Sequence, residues 1–181
     1  MTTHKDDDPP PHPAAIDPRA LEAQCEFRAT RRSGPGGQNR NKVETAVILT
    51  HRPTGLRGEA SERRTQGENR RAALARLRIE LALAIRQPVD LGNETSPFEP
   101  SALWRSRCRG GRISINPEHD DFPALLAEAL DVLTALNDDP RAASVSLGCS
   151  TTQLTKLIGL EPRALALINA RRRQAGRHPL H

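Results

Sequence analysis

Ten residues, Ser33-Gly34-Pro35-Gly36-Gly37-Gln38-Asn39-Arg40-Asn41-Lys42, read as a loop set between two stretches patterned as strands. Three glycines in four positions permit positive φ and let a second molecule approach the main chain without Cβ interference. That freedom carries an entropy cost that an ordinary surface turn need not bear. Upstream, Gln24 to Arg31 alternates Cys25, Phe27 and Ala29 with Glu26, Arg28 and Thr30, the period of a half-buried strand. Downstream, Asn39 to Glu44 can make one helical turn. Thr45 to His51 then carries the β-branched and aliphatic run Ala46-Val47-Ile48-Leu49 of a well-buried strand.

Pro53-Thr54-Gly55 turns the chain into a short returning strand, Leu56 to Ala60, which predicts a hairpin. From Thr65 to Arg86 the apolar positions Ala73, Leu74, Leu77, Leu81, Ala84 and Ile85 recur at helical spacing. Arg70, Arg71, Arg76, Arg78 and Arg86 occupy the other positions, so the expectation is one long amphipathic helix with a basic face. The order strand, loop, strand, strand, helix predicts an α+β layer, a small mixed sheet with one long covering helix.

Charge is distributed unevenly. From Arg28 to Arg86 there are 14 basic and 5 acidic residues, whereas Glu118 to Asp139 holds 7 acidic residues and no Lys or Arg. The glycine loop lies in the basic segment, and Arg at that density suits a polyanion. Cys25, Cys108 and Cys149 are far apart in sequence and lack metal-ligand spacing, so they read as reduced cytosolic thiols, and no metal or cofactor is expected. Asp6-Asp7-Asp8 and Pro9, Pro10, Pro11 and Pro13 resemble neither a signal nor a transit peptide. Residues 1–20 read as a disordered acidic, Pro-rich tail. No apolar stretch approaches the roughly 20 residues that span a bilayer.

Pro88, Gly92, Pro97 and Pro100 place a domain boundary in the exposed connection Gln87 to Ser101. Residues 21–87 form the first domain and residues 88–121 a linker. Within that linker Trp104 is followed by Arg105, Arg107, Arg109, Gly110, Gly111 and Arg112. Two readings stay open there: a basic strip with a stacking ring beside a phosphate backbone, or a linker strand whose Trp plugs a local core. Residues 122–177 read as a small all-α unit. It begins with an apolar helix from Pro123 to Leu136, followed by an Asp139-capped helix to Leu147 and a Gly148-Cys149 turn. A helix from Thr151 to Ile158 with a Ser150/Gln153 capping box then ends at Gly159, and the last helix opens at Pro162 and runs to Arg173. This spells a helix-turn-helix resembling small bacterial regulators, although Thr151 to Ile158 offers only Lys156 as a cation.

A nucleotide-binding loop needs Gly-x-x-x-x-Gly-Lys-Ser/Thr or Gly-x-Gly-x-x-Gly, and neither spacing is met around Lys42. The run Ser33 to Gln38, followed by Asn39-Arg40-Asn41-Lys42-Val43-Glu44-Thr45-Ala46-Val47, His51-Arg52-Pro53-Thr54-Gly55, Arg64-Thr65-Gln66 and Asn69, resembles the catalytic domain of class I peptide-chain release factors. The likeness covers Cys25 to Ile85 with every element in order. It implies that the Gly-Gly-Gln loop enters the ribosomal peptidyl-transferase centre and promotes hydrolysis of the peptidyl-tRNA ester.

Carried over, Gly36, Gly37 and Gln38 are the catalytic residues. Arg32, Ser33, Asn39, Arg40, Asn41, Lys42, Arg64, Gln66, Asn69 and Arg70 are the RNA-binding set. The partners implied are the ribosome, through large-subunit rRNA, peptidyl-tRNA, and a Gln methyltransferase acting on Gln38; the chain is expected to be a cytoplasmic monomer. No Ser/His/Asp, Cys/His or paired-carboxylate arrangement accompanies the loop, and His51 reads as a strand-end residue. Family members commonly carry Ser where Thr65 stands and a basic residue or His near Gly67.

Only a short stretch precedes Cys25, so the chain is expected not to read stop codons and to act in codon-independent ribosome rescue. Rescue proteins often end in a long Lys/Arg tail in the empty messenger channel. The short end here, Arg171-Arg172-Arg173 to Arg177, does not predict channel sensing. The alternative is a nucleic-acid-binding regulator that uses the helix-turn-helix and keeps a non-catalytic release-factor domain.

Overall fold

The computed structural model describes residues 10–30, 45–93 and 95–181. A short 3₁₀ helix (Pro13–Ala15) and α1 (Pro18–Ala23) lead into β1 (Cys25–Thr30), β2 (Ala46–His51) and β3 (Arg57–Ala60). α2 (Gln66–Ala84) follows, then α3 (Ala102–Arg107) and the two-residue strands β4 (Cys108–Arg109) and β5 (Arg112–Ile113). The chain ends in α4 (Phe122–Ala135), α5 (Pro140–Ser146), α6 (Thr151–Gly159) and α7 (Pro162–Gln174).

The α+β class holds, and the sheet, expected as mixed, is antiparallel in both pairings, in the order β1-β2-β3. Its register places Phe27, Leu49 and Gly58 in one row and Ala29, Val47 and Ala60 in the next. Paired residues share a face of the pleat. This face packs under α2, whose residues Asn69, Ala73, Leu77 and Leu81 recur every fourth position and are all fully buried. The alternate rows, Arg28-Ile48-Glu59 and Glu26-Thr50-Arg57, turn the other way, and their charged members are exposed.

Helix and strand meet backbone to backbone at Gly58. A Cβ there would lie 2.0 Å from the Ala73 carbonyl oxygen and 2.5 Å from the Leu77 nitrogen, so any side chain must push α2 off β3. The helix start is secured by Thr65, whose hydroxyl accepts from the Glu68 N–H (3.2 Å), while the Glu68 carboxylate accepts from the Thr65 N–H (3.2 Å).

Part of the expected disordered tail is ordered. His12 is buried, accepting from Ala14 N–H at Nδ1 (3.0 Å) and donating from Nε2 to the Ile85 carbonyl (3.2 Å); burial holds its pKa below the ordinary value. Ala14 is fully buried, and Asp17 caps α1 with Pro18 in its first turn. Local capping signals in His12 to Pro18 thus outweigh the run of prolines. The basic face expected on α2 is also divided. Arg78 is buried and donates to the carbonyls of Ala14 (2.9 and 3.1 Å) and Asp120 (2.6 Å), tying the N-terminal segment to the start of α4.

One apolar core runs from Leu49 and Leu77 through Leu126 and Leu130 to Leu154 and Ile168. α4 is its axis, packed on α2 on one side and on α5 and α6 on the other. Trp104 lies in α3 rather than a linker strand. It is 1% exposed and donates from Nε1 to the Leu147 carbonyl (2.7 Å), so it plugs the core and offers no stacking face. The Ser150/Gln153 box is half used: Ser150 Oγ accepts from Gln153 N–H, while Gln153 Oε1 turns away to accept from Ile113 N–H (3.2 Å). Cys25, Cys108 and Cys149 are free thiols; Cys149 is pushed up to about 12 by burial and by its neighbour Cys108.

Two expectations follow. Gly58→Val destabilises the fold by about 1–3 kcal/mol, the usual scale of overpacking, read by urea unfolding; unchanged stability removes the close-approach argument. Asp131, buried on α4, accepts from Arg86 (2.9 Å) and from Gln87 N–H (3.1 Å), yet burial raises its pKa to about 6. The folded carboxyl therefore keeps its proton above the pH where the unfolded one loses it, and stability falls as pH rises from about 4 to about 6. Asp131→Asn flattens that limb of the stability–pH curve; an unchanged limb assigns it to other groups.

Candidate nucleic-acid interface

Thr30, the last residue of β1, stands opposite Ala46, the first of β2, so the chain leaves and re-enters the sheet at one end. Arg32, Ser33, Gly36, Gly37, Gln38, Asn39, Arg40, Asn41 and Lys42 lie outside the described residues, as does the expected helical turn from Asn39 to Glu44. What the structure places is the frame around that opening. Thr45 closes its downstream side, and Asn69, in the first turns of α2, holds Thr45 by donating from Nδ2 to the Thr45 carbonyl (2.7 Å).

The same amide reaches across the turn before α2. Nδ2 donates to the Arg63 carbonyl (3.2 Å), and Oδ1 accepts from the Arg63 N–H (2.9 Å). Asn69 is fully buried and its polar atoms are used on the main chain. It therefore does not present its amide to RNA, as expected from the resemblance, and instead binds the returning end of the loop to the start of the helix. Its spacing was the available signal: Asn69 lies four residues before Ala73, on the same buried stripe.

Arg64, Gln66 and Arg70 are exposed beside this frame. Arg70 sits 5.3 Å over the ring of Phe27 and pairs with Glu22 through Nε. Phe27 is 42% exposed because β1 is an edge strand and α2 packs over β2 and β3, and the guanidinium covers an otherwise open ring. Arg63 and Arg71, which the resemblance did not single out, are exposed on the same turn and first helical turns. Their shared neighbour Glu68 is held below the usual carboxylate range, first by the hydroxyl and N–H of Thr65 and then by the charges of Arg71 and Arg63. Among the described residues no salt bridge engages Arg63, Arg64 or Arg71. The adjacent doublets Arg63-Arg64 and Arg70-Arg71 were the signal for this cluster.

His51 carries no catalytic proton here. It is 2% exposed, its Nε2 donates to Gln24 Oε1 (3.1 Å), and Nδ1 accepts from Thr54 Oγ1 (2.8 Å). Burial lowers its pKa, which keeps the ring neutral and makes it the anchor of the β2–β3 turn. Among the described residues no group of His, Cys, Asp and Glu could hold a metal ion, and no helix is long and apolar enough to cross a membrane.

Residues 15–96 match the RF-1 domain family, across the strands, the loop frame and α2. Residues 15–96 are thus similar to the catalytic domain of class I release factors. Over 60 residues it is 48% identical to the chloroplastic peptide chain release factor PrfB1 of Arabidopsis thaliana, covering 33% of this chain and 13% of that protein. Over 67 residues it is 48% identical to peptide chain release factor 1 of Streptococcus thermophilus, 37% of this chain and 18% of the relative. A longer likeness, 28% identity over 148 residues, relates it to peptide chain release factor 1 of Acidiphilium cryptum, 75% of this chain and 42% of that one. The chain spans less than half the length of each of these relatives. No solved structure matches it at a significant level.

The release-factor frame is testable through its clamp. Asn69→Leu leaves the Thr45 carbonyl and the Arg63 main-chain groups without their partner, at a cost of about 1–3 kcal/mol. Hydrogen exchange at the Arg63 amide then accelerates; wild-type stability and exchange would show that Asn69 does not hold the loop end.

Proposed function

We propose that the chain promotes release of the nascent peptide by hydrolysis of the peptidyl-tRNA ester in the ribosomal peptidyl-transferase centre. The observation that carries this reading is the release-factor relationship of residues 15–96, with Ser33-Gly34-Pro35-Gly36-Gly37-Gln38 inside it. Gly36 and Gly37 permit a backbone path that brings Gln38 to the ester. The Gln38 main-chain N–H donates to the charge that develops on the leaving ribose oxygen or on the tetrahedral species, a preorganised electrostatic contribution. Its side chain shapes the space that the attacking water occupies.

No general base is assigned to the protein. His51 is neutral, buried and fully hydrogen-bonded, so ribosomal RNA and the substrate complete the site. Arg63, Arg64 and Arg71, exposed beside the opening and outside any salt bridge among the described residues, place the loop by phosphate contacts that position without reading sequence. We read the reaction as codon-independent, in rescue of stalled ribosomes. What supports this is that residues beyond 96 build α3 to α7 and pack onto α2 through α4, a helical unit docked against the domain that carries the loop. Arg171, Arg172 and Arg177 support a rescue mode other than channel sensing. Arg171 pairs with Asp138 (2.7 Å), Arg172 donates to the Asp138 carbonyl (2.5 Å), and Arg177 donates to the Asn137 carbonyl. The reading includes a monomer in the cytoplasm and a Gln methyltransferase acting on Gln38.

Purified protein is expected to release peptide from ribosomes stalled on truncated messenger. The variant carrying Gly36→Ala and Gly37→Ala binds the same ribosomes and falls at least about a hundredfold in release rate, the scale of losing one oxyanion donor. Unimpaired release by that variant would remove Gly36, Gly37 and Gln38 from the catalytic assignment.

A further inference from the structure

In the β4–β5 hairpin Arg109 stands directly opposite Arg112, on either side of a turn made by Gly110 and Gly111. The two glycines have φ of 54° and 74°, the positive values that a tight two-residue hairpin turn requires. The turn is thus well matched to its residues, and the pair flanking it is not. Like charges directly opposite each other destabilise an antiparallel pair. Both side chains are exposed, and among the described residues neither has an ion pair or a side-chain hydrogen bond. The arginines just before them are engaged: Arg105 with Glu99 (2.8 Å) and Arg107 with Asp121 (2.6 Å).

The hairpin is fixed to the helical unit. Ser150 N–H donates to the Gly111 carbonyl (3.1 Å), Ile113 N–H donates to Gln153 Oε1 (3.2 Å), and Cys108 Sγ donates to the Gly148 carbonyl (3.5 Å). These bonds hold β4 and β5 against the turn between α5 and α6. Thr152 and Lys156 are exposed, four residues apart on α6, and so share one face, with Gln153, the residue that reaches the hairpin, beside them. Neither Cys108 to Ile115 nor Gly148 to Leu160 contains an Asp or Glu. The result is a surface of three cations and a hydroxyl, presented by a rigid hairpin and a helix, with no carboxylate in either segment.

We propose that this surface binds the phosphodiester backbone of RNA, as a contact separate from the glycine loop. A local rule is broken at Arg109 and Arg112 without an internal remedy, and a bound phosphate supplies one by turning two repelling guanidiniums into a charge-assisted clamp. The contact positions rather than reads. The exposed face of α6 offers Thr152 and Lys156 and lacks the Arg, Asn or Gln pairs that discriminate base edges. The choice of RNA over DNA rests on the release-factor reading of residues 15–96, because α4 joins the helical unit to α2 in one core and brings the hairpin to the same RNA-rich surroundings.

The test is binding of full-length protein to a labelled RNA duplex and to a DNA duplex of the same sequence, followed by fluorescence anisotropy between about 50 and 200 mM salt. In the variant with Arg109→Gln and Arg112→Gln, RNA affinity is expected to fall about tenfold and the slope of log affinity against log salt by roughly two, one per lost phosphate contact. Its thermal midpoint is unchanged or raised, since the like-charge pair is gone. The variant with Arg109→Lys and Arg112→Lys keeps the wild-type slope. Equal RNA binding by the Gln variant at every salt concentration overturns the proposal, and so does hairpin-dependent binding that favours DNA. Release separates the two readings. Hairpin-dependent RNA binding in a protein that releases no peptide supports this surface while removing the proposed function.

Discussion

The position of α2 on the sheet is the constraint on which the remaining structure depends. Gly58 lets the helix backbone rest on β3, and Leu49 and Val47 pack beneath Ala73 and Leu77 on the same face. That depth brings Asn69 within reach of Thr45 and Arg63 at one end of the helix. At the other end it places Arg78 and Arg86 against the N-terminal segment and α4. A helix held further out would lose the clamp on the loop end and the buried ties to the second half of the molecule together. The loop frame and the helical unit are therefore consequences of one helix–strand approach.

Much of this was legible in the chain. Period-two alternation in Gln24 to Arg31 and the aliphatic run before His51 gave strands within a residue or two of β1 and β2. Asp139-Pro140 and Ser150 began α5 and α6 where their capping chemistry placed them. What escaped were residues whose type argues one way and whose environment argues another. Asn69 and Arg78 look like surface polar groups, but tertiary carbonyls satisfy them in the interior, and no local pattern announces a partner 24 or 64 residues away. Trp104 followed by arginines looked as much like a stacking strip as a core plug. The acceptor that decided it, the Leu147 carbonyl, is supplied by the end of a helix 43 residues on.

The cations of the chain divide by what they touch. Arg78, Arg86, Arg171, Arg172 and Arg177 serve main-chain carbonyls or buried carboxylates and hold the fold. The two Arg-held residues after α4, Asn137 and Asp138, take positive φ (54° and 57°), a conformation that Asn and Asp tolerate better than most residues. Arg177 and Arg172 bind their carbonyls and keep the turn there. A count of basic residues overstates the surface available to a polyanion, since Arg78 is buried, Arg86 and Arg171 are paired with Asp131 and Asp138, and Arg172 and Arg177 are tied to main-chain carbonyls.

Among the described residues two groups of exposed cations outside any salt bridge stand apart, and their separation matters for how the molecule would sit on a large RNA. Arg63, Arg64 and Arg71 flank the place where the loop leaves the sheet, whereas Arg109, Arg112 and Lys156 belong to the hairpin and α6 beyond α4. A single patch near the loop could hold the domain by phosphate attraction while leaving it free to pivot, since phosphate contacts are individually weak and screened by salt. A second patch on the same rigid core fixes orientation as well as location. For chemistry that depends on bringing one backbone amide to one ester, orientation is the scarcer quantity, because a displacement of about an ångström at the reacting atoms costs orders of magnitude in rate.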